Sequence, residues 1–337
     1  MPHPSAKYDP EGMAGIINIV LKQNVDLGWN GGATLAAATE QRYTASGNLG
    51  YQRGPVALWL SYGYNSDERE VTGINDRTRL TGSGAPLSFT EQDISGTEDN
   101  GGHNLNANVD YRLSPRDLLS ASLVLSRRAA TNYSLSAYTE LDDGRLVVDR
   151  YDRIRDTEAE NLMVDYAFAF KRTFQPQQHE LAVELRFNRM DDEDGTGLWR
   201  QPSGGAPGGT GSRSDVETDE TDAVADQLTL QADYTRSLTP RTRLEAGYKA
   251  NARWLDRSFL VRTDSLGTGD WTRSDLSNAL EFDERVNAVR GVLSHAAGKL
   301  QLQAWLRAED TSREFSLAGS GESFPHSYAS LFASGLV

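Results

Sequence analysis

Apolar and polar residues alternate with period two over most of the chain. Val56, Leu58, Leu60, Tyr62 and Tyr64 fall on one side of such a run, against Ala57, Trp59, Ser61, Gly63 and Asn65 on the other. Leu105, Ala107, Val109 and Tyr111 oppose Asn104, Asn106, Asn108 and Asp110; Leu162, Val164, Tyr166, Phe168 and Phe170 oppose Met163, Asp165, Ala167, Ala169 and Lys171. Leu181, Val183, Leu185 and Phe187 repeat the pattern against Glu180, Ala182, Glu184, Arg186 and Asn188, as do Leu228 to Tyr234, Leu244 to Tyr248 and Leu300 to Leu306. Period two places successive side chains on opposite faces of an extended strand, so the pattern predicts an all-β, antiparallel chain. About twelve strands are expected, the first over residues 30–38, the second over 44–51 and the last beginning near Tyr328.

The strands are joined alternately by short and long connections. Arg53-Gly54-Pro55, Ser114-Pro115-Arg116, Gln175-Pro176-Gln177, Thr239-Pro240-Arg241 and Ala297-Gly298-Lys299 are short, and proline or glycine in each suits a tight turn. Between them lie polar connections over residues 66–102, 131–160, 190–221, 262–279 and 316–325, expected as loops. The run 282–294 changes its apolar side near Val289, which predicts a β-bulge there.

A soluble sandwich also alternates, but it has no reason to sort connections into short on one side and long on the other; a transmembrane barrel does. The apolar side carries no charge over about ten residues, the length one tilted strand needs to cross a bilayer, and the other side carries the Asn and Asp expected of a wet interior. Tyr51, Tyr111, Phe170 and Tyr234 each fall shortly before a short turn, as in an aromatic girdle. The pattern therefore favours an outer-membrane β-barrel.

Composition narrows the alternatives. Hydrophobic residues make up 38% of the 337, and the recurring 13 Tyr and 6 Trp argue against disorder. With 48 acidic and 34 basic residues the net charge is −14 and no basic block exists, so nucleic acid is not an expected partner. No apolar stretch approaches the roughly 20 residues of a membrane-spanning helix. There is no cysteine, and no G-x-S-x-G, P-loop, G-x-G-x-x-G or H-E-x-x-H pattern, so neither an enzyme nor a cofactor is expected.

The N-terminal run breaks the pattern. Residues 5–22, S-A-K-Y-D-P-E-G-M-A-G-I-I-N-I-V-L-K, resemble the end of the plug domain in TonB-dependent outer-membrane receptors, with Tyr8, Gly12, Gly15, Asn18 and Lys22 in the places of that family's motif. The resemblance implies a plug remnant over residues 1–24 and part of a barrel over 25–337. Receptors of this kind have about 22 strands, so about twelve would be an incomplete portion of the barrel. It further implies that the signal peptide, the TonB-contacting box, most of the plug and the closing strand lie outside this sequence. The implied location is the bacterial outer membrane, and the implied partners are its lipid and lipopolysaccharide, TonB in the full-length protein, and an unidentified small solute.

Two groups of residues are candidates for function. Trp59, Glu184, Arg186, Arg253, Trp305 and Arg307 are expected on the lumen side, where they would touch substrate or plug, or form a lateral ladder within the wall. Asp191, Asp192 and Asp194 form the sharpest acidic cluster. Aligned as an EF-hand with Gly195 sixth, that loop would put Met190 and Gln201 in the first and twelfth ligand positions, so only a looser metal site or a solvated loop remains. The function expected is energised uptake of a scarce solute: a siderophore complex, a vitamin, an oligosaccharide or a peptide. The alternatives are a self-contained twelve-stranded pore or autotransporter-like barrel, and a soluble β-module.

Overall fold

A computed structural model describes residues 27–39, 41–203, 213–319 and 321–337. The plug-like positions Tyr8, Gly12, Gly15, Asn18 and Lys22, and the whole of residues 1–24, lie outside the described residues.

The strands are β1 (Gly28–Ala38), β2 (Arg42–Arg53), β3 (Val56–Leu80), β4 (Pro86–Ser114), β5 (Asp117–Leu141), β6 (Val147–Gln175), β7 (His179–Pro202), β8 (Ser214–Thr239), β9 (Thr242–Asp264), β10 (Thr272–Arg273), β11 (Asn278–Ala297), β12 (Leu300–Leu317) and β13 (Glu322–Leu336). They make one antiparallel meander in which each strand pairs with the next, except that the two-residue β10 folds back on β9 and β11 pairs with β9. Among the described residues no backbone pairing joins β1 to β13, so the sheet is open.

The short turns fall where expected, and local chemistry makes them. Gly54 (φ 57°), Gln177 (φ 63°) and Gly298 (φ 64°) take the left-handed conformation that closes a tight hairpin. At the two turns with proline followed by arginine, a hydroxyl substitutes for backbone. Ser114 Oγ accepts from the amides of Arg116 and Asp117 at 3.1 Å each, and Thr239 Oγ1 accepts from that of Arg241 at 3.2 Å.

The long connections differ from expectation. Most of residues 66–102, 131–160 and 190–221 is strand, which leaves only residues 81–85, 142–146 and 203–213 between the strands there. The β3 extension is largely polar on both faces, so period two fades from its sequence while the ladder continues, whereas in β5 Tyr133, Leu135, Ala137 and Leu141 carry the alternation on. Cross-strand pairs hold the extensions: Asn75 Nδ2 donates to Gln92 Oε1 at 3.1 Å, and Thr90 Oγ1 to Glu140 Oε2 at 2.7 Å. The last strand starts at Glu322 rather than Tyr328. The expected bulge near Val289 is absent, since β11 keeps one register from Leu280 to His295 against β9 and to Ala297 against β12. The apparent change of side arises because Val286, Ala288 and Val292 are apolar residues on the otherwise polar face, Ala288 and Val292 being buried there.

Candidate functional site

Register converts the alternation into a surface. Starting at Val56 and stepping between Cα partners, one row reads Val56, Tyr111, Leu119, Phe170, Val183, Ala232, Tyr248, Val289, Ala308, Leu331, apolar or aromatic from β3 to β13. The next row runs Trp29, Tyr51, Leu58, Val109, Ala121, Phe168, Leu185, Leu230, Ala250 before reaching Asn287 and Asp310.

The belt climbs through the rows. The row that holds Leu105 in β4 meets Arg189 in β7, and the row that holds Leu185 in β7 meets Asp310 in β12. Yet β4, β7 and β12 carry similar apolar runs: Tyr111 to Leu105 in β4, Leu181 to Phe187 in β7, Leu302 to Ala308 in β12. A belt of constant height that crosses the rows obliquely means strands tilted to the belt, the shear a barrel wall requires. Runs of this length cover about 23 Å along the strand and about 17 Å in height once tilted, some two thirds of an outer-membrane barrel's apolar band of about 25 Å.

Among the described residues nothing covers this face. Leu185 is 45% exposed, Val289 54% and Leu306 51%, whereas the buried hydrophobics among the described residues are Leu141, Ile154, Ala167, Val261, Ala288 and Val292, scattered and mostly small. A chain whose large apolar side chains point outward needs an apolar surrounding. No helix among the described residues is long and apolar enough to cross a membrane.

The opposite face is a polar lattice. Ser120 Oγ donates to Asp110 Oδ1 at 2.6 Å, Ser126 Oγ to Asn104 Oδ1 at 2.8 Å, and Gln231 Nε2 to Asp233 Oδ2 at 2.6 Å. All six residues singled out from the sequence for the lumen side sit on this face, spread over four strands rather than gathered. Trp59 and Arg186 share a row, through Asn108, Ser122 and Ala167. Arg186 Nε lies 3.6 Å from Glu184 and 3.9 Å from Asp165. Arg253 stands over the Phe282 ring at 5.9 Å, and Arg307 is paired with Glu309 at 2.8 Å. Trp305 Nε1 and Thr311 Oγ1 are buried without a hydrogen-bond partner.

The tightest contact on this face was not singled out from the sequence. Arg290 of β11 reaches across β9 to Asp233 of β8, and the strand between them offers Gly247 at the crossing point. A Cβ at Gly247 would be driven into Arg290 and stand 2.9 Å from Asp233 Oδ1. A lone glycine inside the alternating run Leu244 to Tyr248 was the available signal, because glycine in a strand interior often marks a close approach.

The acidic cluster is taken apart by the pleat. Asp191 shares the apolar belt's face and pairs with Arg189 at 3.1 Å, while Asp192 and Asp194 point the other way and Asp192 accepts from Asn161. Among the described residues no three His, Asp or Glu side chains gather as a metal-ligand group.

At the far end of the β9 extension, Asp264 closes the following turn by accepting from the amides of Gly269 at 2.7 Å and Thr268 at 3.2 Å. These backbone donors, led by Gly269, hold its carboxyl below the usual aspartate range.

Residues 172–334 match the model of the outer membrane protein beta-barrel family. No curated protein matches the chain. The solved structures that match include two outer-membrane proteins. One is the outer membrane protease OmpT from Escherichia coli, at 9% identity and TM-score 0.27 over 83% of this chain and 95% of that one. The other is the ferric yersiniabactin uptake receptor FyuA from Yersinia pestis, at 10% identity and TM-score 0.28 over 92% of this chain; the alignment spans 61% of that receptor's length.

Proposed function

We propose that the protein is a TonB-dependent receptor of the bacterial outer membrane, with residues 1–24 as the end of its plug and residues 25–337 as part of its barrel wall. The observation that carries this reading is the open sheet. The apolar belt runs out to Trp29 on β1 and Leu331 on β13, yet each of these strands has only one described neighbour. Unpaired amides and carbonyls in hydrocarbon cost several kcal/mol each, so a stable wall continues beyond both edges into a larger barrel. The belt faces lipid, the polar lattice faces the lumen, and the tall hairpins face outward toward lipopolysaccharide.

Its work is gated binding and release without bond-making: a scarce solute is held from outside, and TonB supplies the energy to move it inward. Residues 25–337 reconstituted alone in planar bilayers should give no steady conductance steps. The protein with its natural flanks should accumulate its solute only while the proton gradient stands. Discrete, stable steps from the isolated segment would replace the receptor with the twelve-stranded pore.

A further inference from the structure

The apolar belt is not level. Where it crosses β9, β11, β12 and β13 it dips into a depression of about 470 Å³. Tyr248 and Leu331, both exposed, stand at its two sides, and Val289 lies next to Tyr248. Between them the floor is made by Ala308 and Ala329, whose side chains end at Cβ and leave room that the bulkier neighbours do not fill.

The end of the depression nearer the long connections is polar. Asn287 of β11 and Asp310 of β12 are Cα partners there. The Tyr248 hydroxyl donates to Asn287 Oδ1 at 2.9 Å, which leaves the Asn287 Nδ2 free to donate to a ligand. Asp310 is exposed, and among the described residues no side chain bonds or pairs with it. Two residues further along β11 on the same face, about 7 Å away, Arg285 is likewise exposed and without an ionic partner among the described residues. An apolar groove is thus headed by an N–H donor beside a carboxylate, with a cation beyond them.

We propose that this groove is a lipid site for a phosphorylated N-acyl glucosamine glycolipid, the lipid A end of lipopolysaccharide, and that one amide-linked acyl chain lies in it. The groove is continuous with the belt, so its occupant comes from the lipid that the belt meets. Lipid tails are as apolar as the groove, so preference for one lipid comes from packing and hydrogen bonds rather than from burial. An amide link satisfies both head groups at once: its carbonyl accepts from Asn287 Nδ2 and its N–H donates to Asp310. An ester link has no donor and leaves the carboxylate unmatched at the edge of hydrocarbon, which is costly. Arg285 then stands where a sugar phosphate can reach it, as a charge-assisted partner.

From the proposed function the site takes only the outward facing of the hairpins; uptake plays no part in its test. The protein is purified in detergent, stripped of lipid, and incubated with lipid A, phosphatase-treated lipid A, ceramide or dioleoyl phosphatidylethanolamine, and the bound lipid is read by native mass spectrometry. Lipid A should bind about tenfold more tightly than the ester-linked phosphatidylethanolamine. Phosphatase treatment should weaken it several-fold, and Arg285→Ala should erase that difference. Ala308→Leu, which fills the floor while keeping it apolar, should cost about tenfold, and Asp310→Ala about threefold or more. Ala121→Leu, on the same face of the belt in β5, should change binding less than about twofold. Each variant is first shown to keep the heat-dependent gel shift of the folded barrel. Equal binding of phosphatidylethanolamine or ceramide, undiminished binding in Ala308→Leu or Asp310→Ala, or an equal loss in Ala121→Leu would each overturn the assignment. Uptake that persists when lipid A shows no preference would remove the groove and leave the receptor; lipid A preference without gradient-dependent uptake would do the reverse.

Discussion

Replacing Leu185 by arginine puts the lipid-facing assignment at stake. Leu185 sits mid-belt in β7, 45% exposed, between Phe168 of β6 and Leu230 of β8. If that exposure is to hydrocarbon, a guanidinium there costs about 2–4 kcal/mol near the bilayer midplane, or about 30- to 700-fold in the folding equilibrium. The control is Asn188→Arg, on the opposite face of the same strand, whose side chain lies 3.4 Å from Asp165. A new cation beside that carboxylate in a wet lumen should cost less than about 1 kcal/mol. Both variants are refolded into phospholipid vesicles and titrated with guanidinium, with the heat-dependent gel shift as the readout of the folded state. Equal penalties, or a larger one for Asn188→Arg, would refute the facing of the sheet.

Gly247→Ala should separate Arg290 from Asp233 and lower stability by about 1–3 kcal/mol, and most of that loss should disappear in an Asp233→Asn background, as chemical denaturation of the four-member cycle would show. Asp264 has a depressed pKa in the folded state, so its contribution is fully present above the unfolded aspartate value and is lost as pH falls through the lower folded value. Pepsin should therefore begin to cut residues 265–271 only at pH below the ordinary aspartate range, and Asp264→Ala should open the same turn to subtilisin at neutral pH. Single-cysteine labels at Gly84 and Gly144 should react with an impermeant maleimide on intact cells while labels at Pro115 and Pro240 should not, and the reverse pattern would invert the topology.

The facing of β3, β4, β6, β7 and β8 was legible in the sequence because one face of each is uniformly apolar over a span that must be covered by something. The short turns were legible because proline, glycine and hydroxyl residues impose their geometry locally. The outward extensions were not. Between Ser66 and Leu80 polar residues occupy both faces, so what keeps the strand extended is its partner, as in Arg69 with Glu98 and Asn75 with Gln92, and partners are fixed only by register. Tyr138 and Tyr151 meet for the same reason, across a hairpin whose length the sequence does not mark. β11 misled because Val286, Ala288 and Val292 occupy the polar face. The carboxylates Asp191, Asp192 and Asp194 are neighbours in sequence but the pleat divides them, so proximity along the chain overstated their power to share a cation.

Which face of the sheet meets lipid decides everything else, and the protein is well suited to showing it, because it contains no cysteine to remove before spin labels are placed one at a time. Labels from Leu181 to Asn188 in the protein embedded in lipid vesicles should alternate with period two in their collision rates. Positions 181, 183, 185 and 187 should be reached by oxygen dissolved in the bilayer, and positions 182, 184, 186 and 188 by a water-soluble nickel chelate. Alternation of the opposite phase, or uniform access to the nickel chelate along β7, would contradict a membrane-spanning wall.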